Sequence, residues 1–590
     1  MSSPPSSSSG RSTASLPNGQ PIDPITRTAL RYTISPREYE LLHQYLVSRA
    51  PRPLVKRALT PRSFEKKVHG GATGTKGEEG AERKGGVVGV GGDGDGNGND
   101  NVAAMRAALR VFVAVYVGFK GWDVVIGKLA ERRGAAGPAK TAVRHKNVRL
   151  ALSFSSILLF HRLLHRFFRR LRTALLEDTD AGAGAFRQRN PRVTKVLTWT
   201  YTPAVGAALS GLCLGVSPRD QLRMTIAIYV FTRSLEFAFN AAEENGYLWK
   251  KDEKNGEKGS GRPWWFGSWM IMPFACGQLL HAFVFDRDCF PESYGRFILK
   301  RSPEYIQTRP ATYPASRPWP GTFDIVDALA ELSHLRWPPF TSPILFPNKA
   351  DTLPAKLATM GPITGGAHPA IKHTSCAILH PSDPSCSRTY LKFFLAAFPS
   401  TVRFITLLYG AFALLAYKSL LKTPLPFLNA LGERILRLSL FLTGAIGTSW
   451  MSICFFSHNL PRSTLPTQRW FLGGFLGGMW AFLARKKERG NFLYSLRLSI
   501  DSLWKVGRKR GWWRGVPAGD VLVFTASLVL LGATYERFPG AVRGAVVRKG
   551  LGVLRNEGFT DRAVGTEGEG ETVEEREAEE EVVGEKVKEA

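Results

Sequence analysis

Disulfide chemistry, secretion and nucleotide binding are the activities this chain is least equipped for. Six cysteines in 590 residues are too few and too scattered for a disulfide framework. Three of them, Cys213, Cys276 and Cys454, lie inside apolar runs and read as small buried side chains. No early apolar run of the secretory type is present. Prolines at 4, 5, 17, 21 and 24 would interrupt an amphipathic import helix. Acidic residues are also in deficit, 49 against 79 lysines and arginines, for a net charge of +30. The last thirty residues hold twelve acidic and four basic side chains, so everything before them carries +38. Such a balance suits either nucleic acid or an anionic membrane surface.

Long uncharged runs decide between the two. Val196 to Pro218 has twenty-three residues without a charge, Phe266 to Phe285 has twenty, and Leu438 to Phe456 has nineteen. Spanning bilayer hydrocarbon takes about 20 mostly apolar residues. Phe393 to Tyr417 is interrupted only by Arg403. Weaker runs are Ala103 to Ile126, Leu150 to Phe168, Met224 to Phe239, Trp470 to Ala484, Leu493 to Val506 and Val521 to Tyr535. A bundle shelters short or charged helices behind long ones, so the sequence predicts an all-α, polytopic transmembrane bundle. Nucleic acid is not an expected partner. Basic loops beside membrane lipids account for both the charge and the apolar runs.

The halves of the chain echo one another. Arg219 and Arg223 align with Arg485 and Arg489 at a separation of 266 residues. At 265, Tyr229, Ser234 and Glu236 meet Tyr494, Ser499 and Asp501. Trp264 and Trp265 answer Trp512 and Trp513, and Phe290 with Pro291 answers Phe538 with Pro539, at 248. Most of that drop is the charged insert starting at Lys251. The expected organisation is a mostly disordered tail over 1–100 and a first membrane half over 101–300. A proline-rich linker over 301–372 precedes a cysteine-containing turn and second half over 373–540, then an acidic tail over 541–590. Five segments per half would place the copies in opposite orientations.

Charges at bilayer depth are costly unless paired. The candidate intramembrane polar residues are therefore Arg219, Arg223, Arg233, Glu236, Arg485, Arg489, Arg497 and Asp501. Arg233 and Glu236 are three apart and Arg497 and Asp501 four apart, spacings that make intrahelical pairs. Gly206 and Gly211, and more tightly Gly473, Gly474, Gly477 and Gly478, carry the small-residue spacing of close helix contact. No strand and lysine surround either group, which argues against phosphate binding.

The stretch from His373 to Cys386, "HTSCAILHPSDPSC", concentrates two histidines and two cysteines. Cys376, His380 and Cys386 can supply three zinc ligands and His373 a fourth. The spacing is not a CxxC pair, and Pro381 and Pro384 favour a rigid turn before the apolar segment. No metal, cofactor or catalytic residue is assigned, and the chain is read as a non-enzyme.

"SCAILHPSDPSCSRTYLKFFLAAFPSTVRFITLLY" resembles the cysteine-rich signature of the transmembrane protein 135 family, in positions Cys376, His380, Pro381, Ser385 and Cys386. "RWFLGGFLGGMWAFLARKKERGNFLYSLRLSIDSLWKVG" is similar to that family's helix, charged turn and helix unit. The resemblance covers about residues 100–300 and 373–540. It implies a multi-pass peroxisomal or mitochondrial membrane protein linked to lipid metabolism and mitochondrial dynamics. More distantly, the glycine-rich helices resemble those of mitochondrial inner-membrane protein translocase subunits. A lipid or metabolite carrier is the expected function, with an organizer of organelle membranes or a protein-import docking component as the alternative. Expected partners are membrane lipids and organelle membrane proteins.

Overall fold

A computed structural model describes residues 24–47, 59–69, 96–131, 140–177, 181–249, 262–349, 353–415 and 417–556, with positions 559, 561 and 563. Most of the two tails and nearly all of the 251–262 insert lie outside these residues. The fold is all-α. Among the described residues the only β pairing is an isolated bridge between Pro339 and His373.

The principal helices are α1 (Gly96–Glu131), α2 (Lys140–Leu176), α3 (Thr202–Ala208), α4 (Gln221–Glu244), α5 (Ile271–Phe285), α6 (Glu292–Lys300) and α7 (Thr322–His334). They continue as α8 (Thr374–Leu379), α9 (Cys386–Leu415), α10 (Pro424–Asn459), α11 (Arg469–Gly478), α12 (Arg489–Lys509), α13 (Gly519–Arg537) and α14 (Ala545–Leu554). Short helices at Pro24–Thr33 and Pro36–Leu42 stand within the first hundred residues.

Among the described residues five helices are long and apolar enough to cross a membrane: Asp100–Lys128, Ser268–Phe285, Cys386–Leu415, Pro424–Asn459 and Gly519–Arg537. Two of them, in α1 and α13, contain runs that look weak in the sequence. The outward faces are apolar as well. On α9, Leu395, Leu407, Phe412 and Leu414 are all exposed, apolar surface that bilayer hydrocarbon would cover.

The longest uncharged run does not form one span, which corrects the sequence expectation. Val196 to Pro218 contains a helix end at Leu197, a turn, then α3 and a 3₁₀ segment Leu209–Val216. Pro203, within the first turn of α3, is compatible with a helix start but not with an uninterrupted interior. The 3₁₀ extension partly restores length. At rises of ~1.5 Å in α and ~2.0 Å in 3₁₀ geometry, α3 and its extension reach about 26 Å, near a hydrocarbon thickness of about 30 Å. Trp470 to Ala484 follows the same plan, with α11 passing into a 3₁₀ segment Met479–Ala484.

The chain divides into two compact units, residues 1–244 with 520–590, and residues 245–519. In the first, α2 packs on α1 and on α3 with its extension. Ile157, Leu214, Ala227, Phe524 and Leu528 form its core there, and Phe237 packs with Tyr535 and Val542. In the second, α5 lies against α11 and α12, while α10 packs on α9 and α11. Phe283, Leu329, Ile378, Phe393, Trp450 and Trp470 belong to one continuous core, so the 301–385 segment is built into the membrane helices of this unit.

Candidate metal centre and apolar chamber

Three elements of the 245–519 unit converge on one point. The short helix α8 carries Cys376 and ends at His380, where Pro381 stops it. The turn that follows is held by Asp383, whose Oδ1 accepts from the Ser385 amide at 2.9 Å. Ser385 in turn accepts the Arg388 amide at 3.3 Å, and α9 begins at Cys386. Cys454 arrives from α10, five residues before that helix ends.

The donor atoms of Cys376, His380, Cys386 and Cys454 all lie within 4.8 Å of one another. The Cys376 and Cys386 sulfurs are 3.8 Å apart, and Cys454 Sγ is 3.5 Å from His380 Nε2. All six cysteines are free thiols, and 3.8 Å is well beyond the ~2.05 Å of a disulfide. The ring of His380 is oriented from behind, since Nδ1 donates to the Asp383 carbonyl at 2.7 Å. That bond leaves Nε2 as the free lone pair facing the sulfurs. Cys376, His380 and Cys454 are buried.

This cluster overturns the reading of the chain as a non-enzyme. Four Cys and His donors placed around one point form a centre able to hold a metal ion, the equipment of cofactor chemistry. Cys376, His380 and Cys386 come together as the sequence allowed. The fourth donor is Cys454, not His373, whose ring instead packs edge to face on His458 at 5.3 Å. Nothing local marks Cys454, which is sixty-eight residues downstream in an uncharged run. A fourth soft donor to complete the set was the only available signal.

The arginine candidates fall in several settings. Arg223 is buried and donates to Asp520 and to the Ser217 carbonyl. Arg233 pairs with buried Glu236 at 2.6 Å. In the other unit Asp501 accepts from Lys505 at 2.7 Å, and Arg497 donates to the Leu493 carbonyl at 3.0 Å. Arg485 lies over the Phe482 ring at 4.0 Å. Arg489, which opens α12, is half-buried, and Arg219 is exposed. Asp520, Glu488 and Asp286 escape the sequence reading. Buried Glu488 accepts from Arg434, Tyr409 and Asn491, and buried Asp286 from Arg510 at 2.6 Å.

The glycines sit where backbones meet. A Cβ on Gly474 would overlap the Cys276 carbonyl, and one on Gly478 would lie 2.5 Å from Pro273 Cα. Gly473 and Gly477 face the other way, toward Ser452 and Ala445. Helix α11 is thus sandwiched between α5 and α10. In the first unit Gly206 meets the Phe168 ring and Gly211 the Thr525 backbone.

Beside α11 lies an apolar chamber of about 80 Å³, lined by Phe283, Tyr294, Phe297, Phe441, Ile446 and Trp470 among others. Burial pushes the Tyr294 phenol up to about 12. The phenol and the Ser449 hydroxyl are polar groups in a mostly apolar wall. No family model, no curated protein and no solved structure matches the chain.

Proposed function

We propose that this multi-pass membrane protein binds and redistributes a lipid or a related apolar metabolite by a carrier-like mechanism. The observation that carries the reading is the chamber between α5, α6, α10 and α11, apolar-lined with the Tyr294 phenol at its wall. Apolar pockets with one or two placed polar groups are the usual form of small-ligand sites. A short length of acyl chain satisfies such a lining, and a hydroxyl or carbonyl would answer Tyr294.

Two-part construction supports a carrier. Both α3 and α11 pass from α into 3₁₀ geometry, and each of these stretches carries glycines at close backbone contacts. The first unit takes α13 from the end of the chain, and the second takes α5 from the first half. Each unit thus combines helices of both halves, as an exchange of the last segment between two related copies would produce. Opposed copies are the architecture of inverted-repeat carriers. The resemblance of the cysteine signature supports a peroxisomal or mitochondrial membrane as the place of action.

Native mass spectrometry and lipid extraction of the purified protein test the reading. Co-purifying lipid that is displaced by Ile446→Trp, which fills the chamber, supports it. Flux of that lipid between reconstituted vesicles would establish movement. A chamber that retains no lipid, with specific protein partners recovered instead, would favour the organizer or docking role.

A further inference from the structure

We propose that Cys376, His380, Cys386 and Cys454 bind a single Zn²⁺ ion in a closed tetrahedral site that ties the open end of the α9 and α10 hairpin to α8. The proposal goes beyond the lipid reading and does not depend on it.

The distances fit one ion. Zinc bonds of about 2.3 Å to sulfur and 2.0–2.1 Å to nitrogen, at tetrahedral angles, place two sulfurs ~3.8 Å apart and a sulfur and nitrogen ~3.6 Å apart. Two of the six separations in the protein, 3.8 Å and 3.5 Å, match these values, and all six lie within 4.8 Å. A polynuclear iron–sulfur cluster would hold its sulfur ligands farther apart than a single ion does. Three thiolates and one imidazole form a soft donor set, and four protein donors fill a zinc coordination sphere. The second layer is present too, in the Nδ1 bond from His380 to the Asp383 carbonyl.

The position gives the ion a mechanical task. Helices α9 and α10 run antiparallel, with Arg434 against Tyr409 and Gly447 against Phe393, and the short helix Tyr417–Lys422 lies between them in the chain. Cys386 is the first residue of α9, and Cys454 is about 8 Å along the axis from the end of α10. Both therefore lie at the end of the hairpin away from its connection. Cys376 and His380 add the segment leading in from 301. Binding displaces three thiol protons to solvent and leaves a centre of net charge −1, with no electron transferred.

Full-length protein purified in detergent without chelator should contain one zinc per chain by multi-element mass spectrometry. Cys454→Ser and His380→Ala should lose it, His380→Cys should keep it, and Cys213→Ala, outside the cluster, should leave it unchanged. Where the loss variants fail to fold, cobalt exchange into the wild-type protein decides. Tetrahedral cobalt shows thiolate charge-transfer bands and intense visible transitions. Iron or copper in place of zinc, metal-free protein with all four donors open to alkylation, or a Cys376–Cys386 disulfide in the freshly isolated protein would each overturn the proposal.

Discussion

Arg223 holds Asp520 through two parallel hydrogen bonds, from Nε to one carboxylate oxygen and from Nη2 to the other at 3.0 Å, across 297 residues of sequence. Both side chains are less than a tenth exposed, so neither charge has water to fall back on. The pair fastens the first turn of α13 to the start of α4 within one compact unit. Asp520→Ala should cost about 3–5 kcal/mol, the usual penalty for a buried charge left without its partner. Replacing both, as Arg223→Met with Asp520→Leu, should recover most of that loss. Thermal unfolding in detergent across the double-mutant cycle checks it, and equal destabilisation by the single and double variants would refute the pairing argument.

Gly474 predicts a contrast within one unit. The atoms that its Cβ would strike are the Cys276 carbonyl and the Gly277 Cα, which are backbone and cannot rotate away. Gly474→Ala should destabilise by about 1–3 kcal/mol through overpacking. Gly490, in the first turn of α12, has open space around its Cβ position. Gly490→Ala should be neutral or stabilising by up to ~1 kcal/mol from helix propensity. Both variants can be compared by unfolding midpoints, and a tolerated Gly474→Ala would mean that α5 and α11 are not in close contact.

Metal removal should loosen the 245–519 unit. An ion present at a thousand times its dissociation constant stabilises the folded state by about 4 kcal/mol. At ~2–4 °C per kcal/mol, a midpoint shift on the order of 10 °C is expected. The measurement is a thermal scan before and after a strong chelator, repeated after adding zinc back. A midpoint indifferent to both treatments would show that no ion contributes to folding.

Accessibility tags test the opposed halves. One tag belongs in the 251–262 insert, which follows α4, and one near Arg508, at the end of α12. In intact and then permeabilised organelles, the two should react from opposite sides of the membrane. Reaction from one side would end the inverted arrangement and shift the functional reading toward an organizer.

Glu488 offers an independent check on buried charge. It is almost fully buried and accepts from Arg434, Tyr409 and Asn491. Glu488→Gln removes the negative charge and leaves the half-buried Arg434 less well compensated, so a loss of ~2–4 kcal/mol is expected. Arg434→Gln combined with it should be milder than the sum of the two, as read by the same unfolding cycle.

Much of the architecture was legible from uncharged length. The runs around Phe266 to Phe285, Phe393 to Tyr417 and Leu438 to Phe456 became long helices because hydrocarbon leaves backbone groups no partner except one another. The glycines of α11 were legible as close-packing positions, since only small residues allow backbones to approach. Val196 to Pro218 misled for a physical reason: apolar composition measures preference for hydrocarbon, while Pro203 and the 3₁₀ stretch set how the chain crosses it.

What the sequence by itself determined was the class of the protein and the local half of its centre. Helical period, apolar length and the turn at Pro381 are short-range properties, readable from neighbours along the chain. The fourth donor and the buried ion-pair partners were decided only by the tertiary structure. Cys454 reaches Cys376 and His380 because α9 and α10 fold back on each other, and Asp520 reaches Arg223 because α13 returns to helices nearly three hundred residues earlier. Long-range pairing depends on which apolar faces bury one another, and packing of that kind leaves no periodic mark on either segment alone.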